Sequence, residues 1–346
     1  MLPHIQEEAR AAARLDWARR ALGDPAAGLQ RASVDAGFRS YWRSTGNGPS
    51  RIVMDSPPGK EDVRPWLRVR DLLETGGVRV PAVLACDVEA GFLLLEDLGR
   101  RTLAQVIDEG NADAHFDAAI GQLLKLQQIA PPPGMGEFGE ALLQRDAGLF
   151  EEWFLGRHLG IALDCAGSEK LQLAQRRLMD NALAQAKVLT HRDFMPRNLM
   201  PVESPPAPDS PAVIDFQDSV RGPIAYDAAS LFKDAFLSWP LARVDGWLAR
   251  YHQRALAEGL PVPPLARFRR DADWCGVQRH LKILGIFCRL HYRDGKSKYI
   301  ADLPRFIAYL DEVLPRYREL EPLAELLAST IKPALRAKEH AGMEPA

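Results

Sequence analysis

The chain has 346 residues, of which 47% are hydrophobic and 26% charged, and its formal net charge is −2 at pH 7. This composition excludes disordered and fibrous proteins, and a nearly neutral chain has no long-range field that would collect nucleic acid or a membrane surface. We therefore expect a folded protein that binds a small molecule locally, with room for two lobes because single cores stop growing at about 250 to 300 residues.

The first part of the chain has the pattern of a helix followed by strands. A helical pattern covers 7–22, within an N-terminal helical segment assigned to 1–28. Over 29–98, short apolar segments separated by glycine or proline are typical of strands, and one helical pattern at 63–75 interrupts them. They predict a five-stranded, mostly antiparallel sheet with one main helix. The predicted strands are 31–34, 39–43, 51–54, 83–85 and 91–95.

After residue 98 the chain becomes mainly helical. Amphipathic patterns predict helices over 115–130 and 168–186, and all patterns from residue 228 onward are helical. Short strands are predicted over 188–190, 199–202 and 212–216. We expect an α+β protein with a nucleotide-binding sheet lobe over 29–98, a helical lobe over 99–334 and a frayed tail over 335–346.

Three oxygen-bearing side chains stand out in the middle of the chain. Asp193 and Asn198 lie five residues apart in a loop after a predicted strand, and Asp215 follows Asn198 by 17 residues at the end of another apolar strand. Phosphoryl transfer from ATP needs a carboxylate to deprotonate the attacking hydroxyl and hard oxygen ligands to hold Mg²⁺. The pattern favours Asp193 for the first task and Asn198 with Asp215 for the second. The alternative is that all three are ordinary turn residues.

His191, Asp193 and Asn198 form an H-x-D-x-x-x-x-N loop, which Asp215 follows on a strand. In this the chain resembles the aminoglycoside phosphotransferase and choline kinase superfamily, relatives of protein kinases. The resemblance implies a bilobal, protein-kinase-like fold that uses ATP and Mg²⁺, with Asp193 catalytic and with Asn198 and Asp215 as metal ligands. It also implies that Asp227 braces the catalytic loop, and that His191 supports it by donating to backbone carbonyls.

The same resemblance places an adenine-binding hinge in the segment 92–99. It implies hydrogen bonds from adenine to the Glu96 carbonyl and the Leu98 amide, with Leu95 beside them as the gatekeeper. Gly37, in the turn between the first two strands, would let the backbone approach the phosphates. A plain buried strand is the alternative interpretation of this segment.

Met54 departs from the family pattern, because it stands where a strand lysine usually pairs with the phosphates. A methionine carries no charge, so a neighbouring cation is expected to replace the lysine. The acidic partner of that cation is left open between Glu61 and Glu74. The candidate cations are Arg39, Arg43 and Lys60, and Arg43 is the one included among the predicted ATP-binding residues.

The acceptor is expected to bind in the helical lobe. Residues 279–298 contain six Lys or Arg and one Asp. This balance argues against a polycationic aminoglycoside and for an anionic or neutral acceptor. A solvated basic helix face would give the same count.

A narrower resemblance, over 30–315, is to the anomeric kinases for N-acetylmuramate and N-acetylglucosamine. It rests on strings such as IVMDSPP at 52–58, IDFQD at 214–218 and HLKILG at 280–285. It implies phosphorylation of the C1 hydroxyl of these sugars in peptidoglycan recycling, and it makes the missing strand lysine a family trait. The lactyl carboxylate of N-acetylmuramate would meet Arg289 or Arg293. The expected substrate-binding residues are Asp193, Arg197, Asp218 and Arg289.

Two other hypotheses stay open. One is the same chemistry on another acceptor, such as an amino alcohol, homoserine or an antibiotic, and the other is a pseudokinase that binds nucleotide without transferring phosphate, which the methionine at position 54 motivates. The four cysteines form no C-x-x-C pair, and the N-terminal segment lacks the apolar core of a signal peptide. We predict a cytoplasmic monomer that binds ATP and a sugar but neither nucleic acid nor membranes.

Overall fold

The computed structural model describes residues 3–33, 38–202 and 210–343. The chain divides into two compact units, which we call the sheet unit (Met1–Val106 with Arg197–Gln217) and the helical unit (Ile107–Pro196 with Asp218–Ala346). The contacts divide the helical lobe predicted over 99–334, because they group residues 99–106 and Arg197–Gln217 with the sheet unit.

The secondary structure follows the predicted order of elements. The strands are β1 Gly28–Ser33, β2 Ser40–Thr45, β3 Arg51–Asp55, β4 Val83–Asp87, β5 Phe92–Glu96, β6 Lys187–Thr190, β7 Leu199–Met200, β8 Ala212–Val213 and β9 Val220–Pro223. The α-helices are α1 Pro3–Leu22, α2 Arg64–Thr75, α3 Ala112–Gln128, α4 Glu140–Leu149, α5 Cys165–Ala184, α6 Ala225–Phe232, α7 Leu241–Ala257, α8 Leu265–Tyr292, α9 Leu303–Val313, α10 Glu321–Leu326 and α11 Lys332–Met343.

The sheet unit is built on five antiparallel strands in the order β1-β2-β3-β5-β4. This confirms the predicted five-stranded antiparallel sheet with one helix, α2, inserted between its third and fourth strands. In the same unit, β7 and β8 form a short antiparallel pair in which Leu199 lies opposite Val213. The sheet therefore has the strand-strand-strand-helix-strand-strand order that the sequence predicts.

Helix α1 covers one face of this sheet. Trp17 stacks on Phe92 with ring centroids 5.5 Å apart, and Val53 is buried in the same cluster. Asp55, at the end of β3, is 2% exposed and accepts hydrogen bonds from Arg10 Nη2 at 2.7 Å and Arg14 Nη1 at 2.8 Å. Two arginines one helical turn apart thus fix α1 on the sheet, because a buried carboxylate needs charged partners.

The core of the helical unit lies around α8. Helix α4 continues into a π-helical segment, Phe150–Leu159, that packs against α8. Gly285 permits this close approach, since a Cβ at that position would lie 2.3 Å from the Leu149 carbonyl oxygen. The buried aromatic side chains of this core include Phe150, Phe154, Trp274, Phe287 and Phe306. Helix α8 is consequently a fixed platform for the side chains that it carries.

Two elements differ from the sequence-based expectation. Strand β9, which pairs antiparallel with β6, is not predicted, because its Val-Arg-Gly-Pro sequence has the glycine and proline of a turn. Helix α11 extends to Met343, so residues 335–343 are helical where the sequence predicts a frayed tail. Within the part of the chain that the structure describes, no helix is both long and apolar enough to cross a membrane.

Candidate active site

The loop after β6 is fixed by a buried carboxylate. Asp227, in the first turn of α6, is 0% exposed and accepts the backbone N–H of His191 at 2.6 Å and that of Arg192 at 2.9 Å. Arg192 has φ +77°, a conformation that costs about 1 to 3 kcal/mol for a residue with a side chain. The predicted role of Asp227 as a brace of the catalytic loop is confirmed.

Burial raises the pKa of Asp227 to about 6, although the nearby His191 and the two N–H donors lower it. The carboxylate is consequently ionised at neutral pH and can accept both backbone hydrogen bonds. Protonation would remove one acceptor site from a pair of buried donors, which are costly to leave unpaired.

His191 contacts the catalytic loop from within. The ring is 1% exposed, packs edge-on against Phe194 with centroids 5.8 Å apart, and accepts the Asp193 N–H on Nδ1 at 3.3 Å. The predicted donation from His191 to backbone carbonyls would come from the other ring nitrogen, Nε2, and stays a prediction. As an acceptor, Nδ1 is unprotonated, which places a neutral ring's proton on Nε2.

Asp193 is paired with a buried arginine of α8. Arg279 Nη2 lies 3.2 Å from Asp193 Oδ1, and the Asp193 side chain is 42% exposed while that of Arg279 is 2% exposed. Burial by itself raises the pKa of Asp193, but Lys282 and Arg279 lower it more, so that its pKa lies below the usual range. The carboxylate is therefore ionised, oriented on one oxygen and open to solvent, as a proton acceptor for a bound hydroxyl must be.

The cations behind Asp193 belong to a buried charge cluster that we define as Asp146, Asp193, Arg279 and Lys282. Lys282 Nζ lies 3.7 Å from Asp146 Oδ2, and burial lowers the pKa of Lys282 while Asp193 and Asp146 raise it. Among the described residues, Arg279 Nε and Nη1 and Asp146 Oδ2 have no hydrogen-bond partner. Buried polar atoms of this kind usually meet water or a ligand.

Arg279 and Lys282 are not among the site residues that the sequence predicts. The available signal was their i, i+3 spacing within the basic segment, since side chains at that spacing share one face of a helix.

The two predicted metal ligands lie in contact within the sheet unit. Asn198 Nδ2 is 3.4 Å from Asp215 Oδ2, and the Asn198 carbonyl accepts the Ile214 N–H at 3.0 Å. Asp215 has φ +63° and is exposed, whereas the next residue, Phe216, is buried against Trp66 of α2 with ring centroids 5.1 Å apart. The β7-β8 pair and the Phe216 anchor thus hold the two oxygen-bearing side chains side by side.

This pair fits Mg²⁺. The described residues contain no group of three or more His, Cys, Asp or Glu that could hold a metal ion, but Mg²⁺ commonly binds to one or two carboxylates together with substrate phosphates rather than in an all-protein cage. Asp215 Oδ1 also accepts Gln217 Nε2 at 2.9 Å. Asn198 and Asp215 would hold such an ion through the Asn198 amide oxygen and the Asp215 carboxylate.

The predicted hinge leaves the sheet at the end of β5. Leu95 is 3% exposed, and Leu98 is half-buried. The Glu96 carboxylate accepts Arg79 Nη1 at 2.8 Å, and the hydrogen bonds from Arg79 lower the pKa of Glu96 although burial opposes this. The Glu96 backbone N–H also donates to the Ala82 carbonyl at 2.9 Å, so side-chain and backbone contacts together fix the end of β5.

Arg43 fixes the next residues of the same segment. Its Nε and Nη2 donate to the Asp97 carboxylate at 2.6 and 2.9 Å, and Nη2 also donates to the Gly99 carbonyl at 2.6 Å. Burial raises the pKa of Asp97, but the hydrogen bonds from Arg43 and Ser50 bring it below the usual range. Because these three hydrogen bonds occupy the Arg43 guanidinium, they argue against Arg43 as the cation that binds the phosphates. They also hold Arg43 beside the predicted hinge.

The other predicted residues lie in separate places. Gly37 falls outside the described residues. Arg197 is half-buried in the 3-10 turn Pro196–Asn198, and Asp218 is exposed in the helical unit.

The two arginines predicted to meet the lactyl carboxylate differ in their contacts. Arg289 is half-buried on α8, and its buried Nε has no hydrogen-bond partner among the described residues. Arg293 pairs with the adjacent Asp294 at 2.7 Å. The Arg289 Nε–H is thus a candidate donor to a ligand, whereas the Arg293 guanidinium already has a carboxylate partner.

The sequence matches a known family over most of its length. The profile of the phosphotransferase enzyme family matches residues 28–268. An N-acetylmuramate/N-acetylglucosamine kinase of Pseudomonas putida is 49% identical over 305 residues, which cover 88% of each chain. A kinase of the same name from Pseudomonas aeruginosa is 46% identical over 306 residues, covering 88% of this chain and 89% of that protein.

The fold also matches solved structures. A choline/ethanolamine kinase family protein from Mesorhizobium loti superposes with a TM-score of 0.61 at 15% identity, covering 92% of this chain and 98% of that one. The predicted α+β, protein-kinase-like fold and the predicted resemblance to the phosphotransferase and choline kinase superfamily are both confirmed.

Proposed function

We propose, from the premise that this chain belongs to the phosphotransferase enzyme family, that it transfers the γ-phosphoryl group of ATP to the C1 hydroxyl of N-acetylmuramate, N-acetylglucosamine or both. The observation that carries the proposal is the ion pair of Asp193 with Arg279, which keeps an exposed carboxylate ionised on a loop that Asp227 fixes. The names of the relatives at 46% to 49% identity support the choice of acceptor. The chain resembles enzymes of peptidoglycan recycling, and this is the cellular role that we propose.

Asp193 acts as the proton acceptor. It takes the proton of the C1 hydroxyl as that oxygen attacks the γ-phosphorus in line, and Arg279 holds the carboxylate in position for this transfer. The anomeric hydroxyl is more acidic than the other hydroxyls of a sugar. A carboxylate with a low pKa is therefore sufficient to assist its ionisation in the transition state.

The nucleotide is held by the sheet unit. The Glu96 carbonyl and the Leu98 amide bond the adenine edge, and Leu95 packs beside it. Asn198 and Asp215 hold Mg²⁺, which when bound neutralises charge on the phosphates. The hydrogen bond from Asn198 Nδ2 to Asp215 Oδ2 at 3.4 Å supports this assignment, because it places the Asn198 amide beside the Asp215 carboxylate.

The acceptor is held by the remaining predicted residues. Arg197 and Asp218 bind the sugar, and Arg289 pairs with the lactyl carboxylate of N-acetylmuramate. The buried Arg289 Nε, which finds no acceptor among the described residues, supports this role. The enzyme is a monomer and works in the cytoplasm, where ATP is available.

Release of ADP in the presence of different acceptors tests the proposed function. Purified protein with Mg-ATP is given N-acetylmuramate, N-acetylglucosamine or kanamycin in a coupled assay, with Asp193→Asn as the matched inactive control. Turnover with either amino sugar and none with kanamycin is the expected result. Turnover with kanamycin alone would reassign the acceptor, and nucleotide binding without turnover on any sugar would identify a pseudokinase.

A further inference from the structure

If the sheet unit binds ATP, a cation must pair with the phosphates, and β3 has no lysine at position 54 to do so. A triphosphate carries several negative charges, and in a partly buried site these charges require positively charged partners. Met54 of β3 is 0% exposed and apolar. The charge must therefore come from another element of the sheet unit.

The strand register shows which face of the sheet is concerned. Trp42 lies opposite Val53, and both belong to the face that α1 covers. Tyr41 lies opposite Met54, so these two side chains project from the other face. Arg39 lies just before β2, which begins at Ser40, and its side chain is placed by its contact with Glu61, in the turn after β3.

Two of the three candidate cations near Met54 are otherwise engaged. Arg43 donates three hydrogen bonds to Asp97 and Gly99. Lys60 is exposed, and its Nζ lies 5.4 Å from the centroid of the Phe38 ring. Only the remaining candidate, Arg39, combines a fixed position with a donor that is free to take a ligand.

Arg39 is held on one side and open on the other. Its Nε lies 2.9 Å from Glu61 Oε1, and its side chain is 14% exposed against 31% for Glu61. Its Nη1 is buried and has no hydrogen-bond partner among the described residues. A guanidinium with one edge fixed by a carboxylate presents its remaining N–H groups in a rigid geometry that suits phosphate oxygens.

A tight turn places Glu61 for this contact. The Glu61 N–H donates to the Pro57 carbonyl at 3.0 Å, and the Glu61 carbonyl accepts the Ser56 hydroxyl at 3.0 Å. Ser56 is 0% exposed, and its N–H donates to the Gly91 carbonyl at 2.9 Å. Gly91 has φ +71°, and a Cβ there would lie 1.9 Å from the Ser56 carbonyl oxygen, so this junction tolerates glycine alone.

We propose that Arg39, positioned by Glu61, is the cation that binds the phosphates of the nucleotide in place of a strand lysine. This inference rests on the proposed use of ATP. It assigns Met54 a packing role, and it makes the turn after β3 part of the nucleotide site, because that turn carries the carboxylate that orients Arg39.

Calorimetric titration with Mg-ATP and with adenosine tests the inference. Arg39→Gln is expected to weaken Mg-ATP binding about 10- to 100-fold, the range for loss of a charge-assisted hydrogen bond, and to leave adenosine binding unchanged. Arg39→Lys retains more of the Mg-ATP affinity than Arg39→Gln. Glu61→Gln is expected to weaken Mg-ATP binding less than Arg39→Gln does and to leave adenosine binding unchanged, because it frees the Arg39 side chain without removing its charge.

Arg31→Gln, on the neighbouring strand β1, is the matched control and leaves both affinities unchanged. The ratio of adenosine to Mg-ATP affinity is compared only among variants whose melting temperature matches that of the wild type. If Arg39→Gln does not fold, the ratio is measured on Arg39→Lys instead. An unchanged ratio in the folded variant would overturn the role of Arg39 while leaving the proposed function intact. A wild-type protein that binds no Mg-ATP would overturn both.

Discussion

Arg279 lies almost fully buried beneath the catalytic loop, with its Nη2 3.2 Å from an oxygen of Asp193, whose side chain is 42% exposed. The pair joins a helix of the core to the residue that we propose as the proton acceptor. Arg279 is buried in the core, whereas the Asp193 side chain is exposed to solvent. This contact orients the carboxylate without covering it.

Loss of the Asp193 carboxylate should remove turnover and spare the nucleotide. Asp193→Asn keeps the shape of the side chain but cannot accept a proton, so we expect kcat to fall about 10²- to 10⁴-fold. Mg-ATP affinity, measured by titration, should change little, because the residues that we propose as nucleotide ligands are others. A variant with normal turnover would exclude Asp193 as the base.

Removing the buried partner tests whether orientation matters. Arg279→Met should lower kcat about 10- to 100-fold, because a misplaced catalytic group loses that much, while KM for Mg-ATP stays near the wild-type value. Asp193 is half-exposed and can be solvated once Arg279 is gone, so the protein should still fold. Arg250→Met, an exposed arginine of α7 in the same unit, is the control with unchanged kcat.

Asp227 should set the acid limb of activity. Its pKa is raised to about 6, so below this pH it becomes protonated and loses its hold on the two loop N–H groups. We expect kcat/KM to fall as the pH drops through about 6, and the limb to be absent in Asp227→Asn, which has a lower but flatter profile.

The contribution of Asp227 to the free energy of unfolding should change with pH in the opposite direction to kcat/KM. Because the folded pKa lies above the ordinary value of 3.8, the contribution of Asp227 to stability is largest below that value and is lost as the pH rises through about 6. Unfolding of the wild type and of Asp227→Asn at pH 4 and pH 7 measures this difference. An equal difference at both pH values would contradict the raised pKa.

Asp215 should matter for the metal-bound nucleotide. Asp215→Ala removes one of the two adjacent oxygen ligands, so we expect weaker Mg-ATP binding and a requirement for more Mg²⁺, with unchanged binding of ATP in the absence of divalent cations. Titration at several Mg²⁺ concentrations distinguishes these effects. Equal Mg-ATP affinity in the variant would argue against the assignment of Asn198 and Asp215 as ligands.

The N-terminal helix should contribute to the stability of the sheet unit through Asp55. Asp55→Ala leaves Arg10 and Arg14 without their carboxylate, and breaking such a buried pair costs about 3 to 5 kcal/mol. Asp16→Ala removes the exposed Arg20–Asp16 pair of the same helix, which is worth about 0 to 1 kcal/mol. Denaturant unfolding compares the two, and equal losses would contradict the structural role of Asp55.

Local patterns in the sequence predict the five-stranded sheet and the contact of Asp227 with the loop after β6. The strands β1 to β5 follow from apolar segments bounded by glycine and proline, and the role of Asp227 follows from the resemblance to a known loop. These features depend on residues close together in the chain or on a motif of fixed spacing.

Contacts between distant residues are not predicted in this way. Arg279 is 86 residues from Asp193, and Arg43 is 54 residues from Asp97. No periodicity relates such pairs, because the partner of a buried charge is decided by the packing of whole elements. The contact of Arg43 with Asp97 therefore does not follow from the sequence, and the basic segment alone does not identify Arg279 as the partner of Asp193.

The chemical identity of the product tests the central claim most directly. Phosphorus NMR of the reaction with N-acetylmuramate and Mg-ATP should show a glycosyl 1-phosphate, which is labile in mild acid, and none with Asp193→Asn. An acid-stable alkyl phosphate, or the same product from the Asp193→Asn protein, would contradict the account.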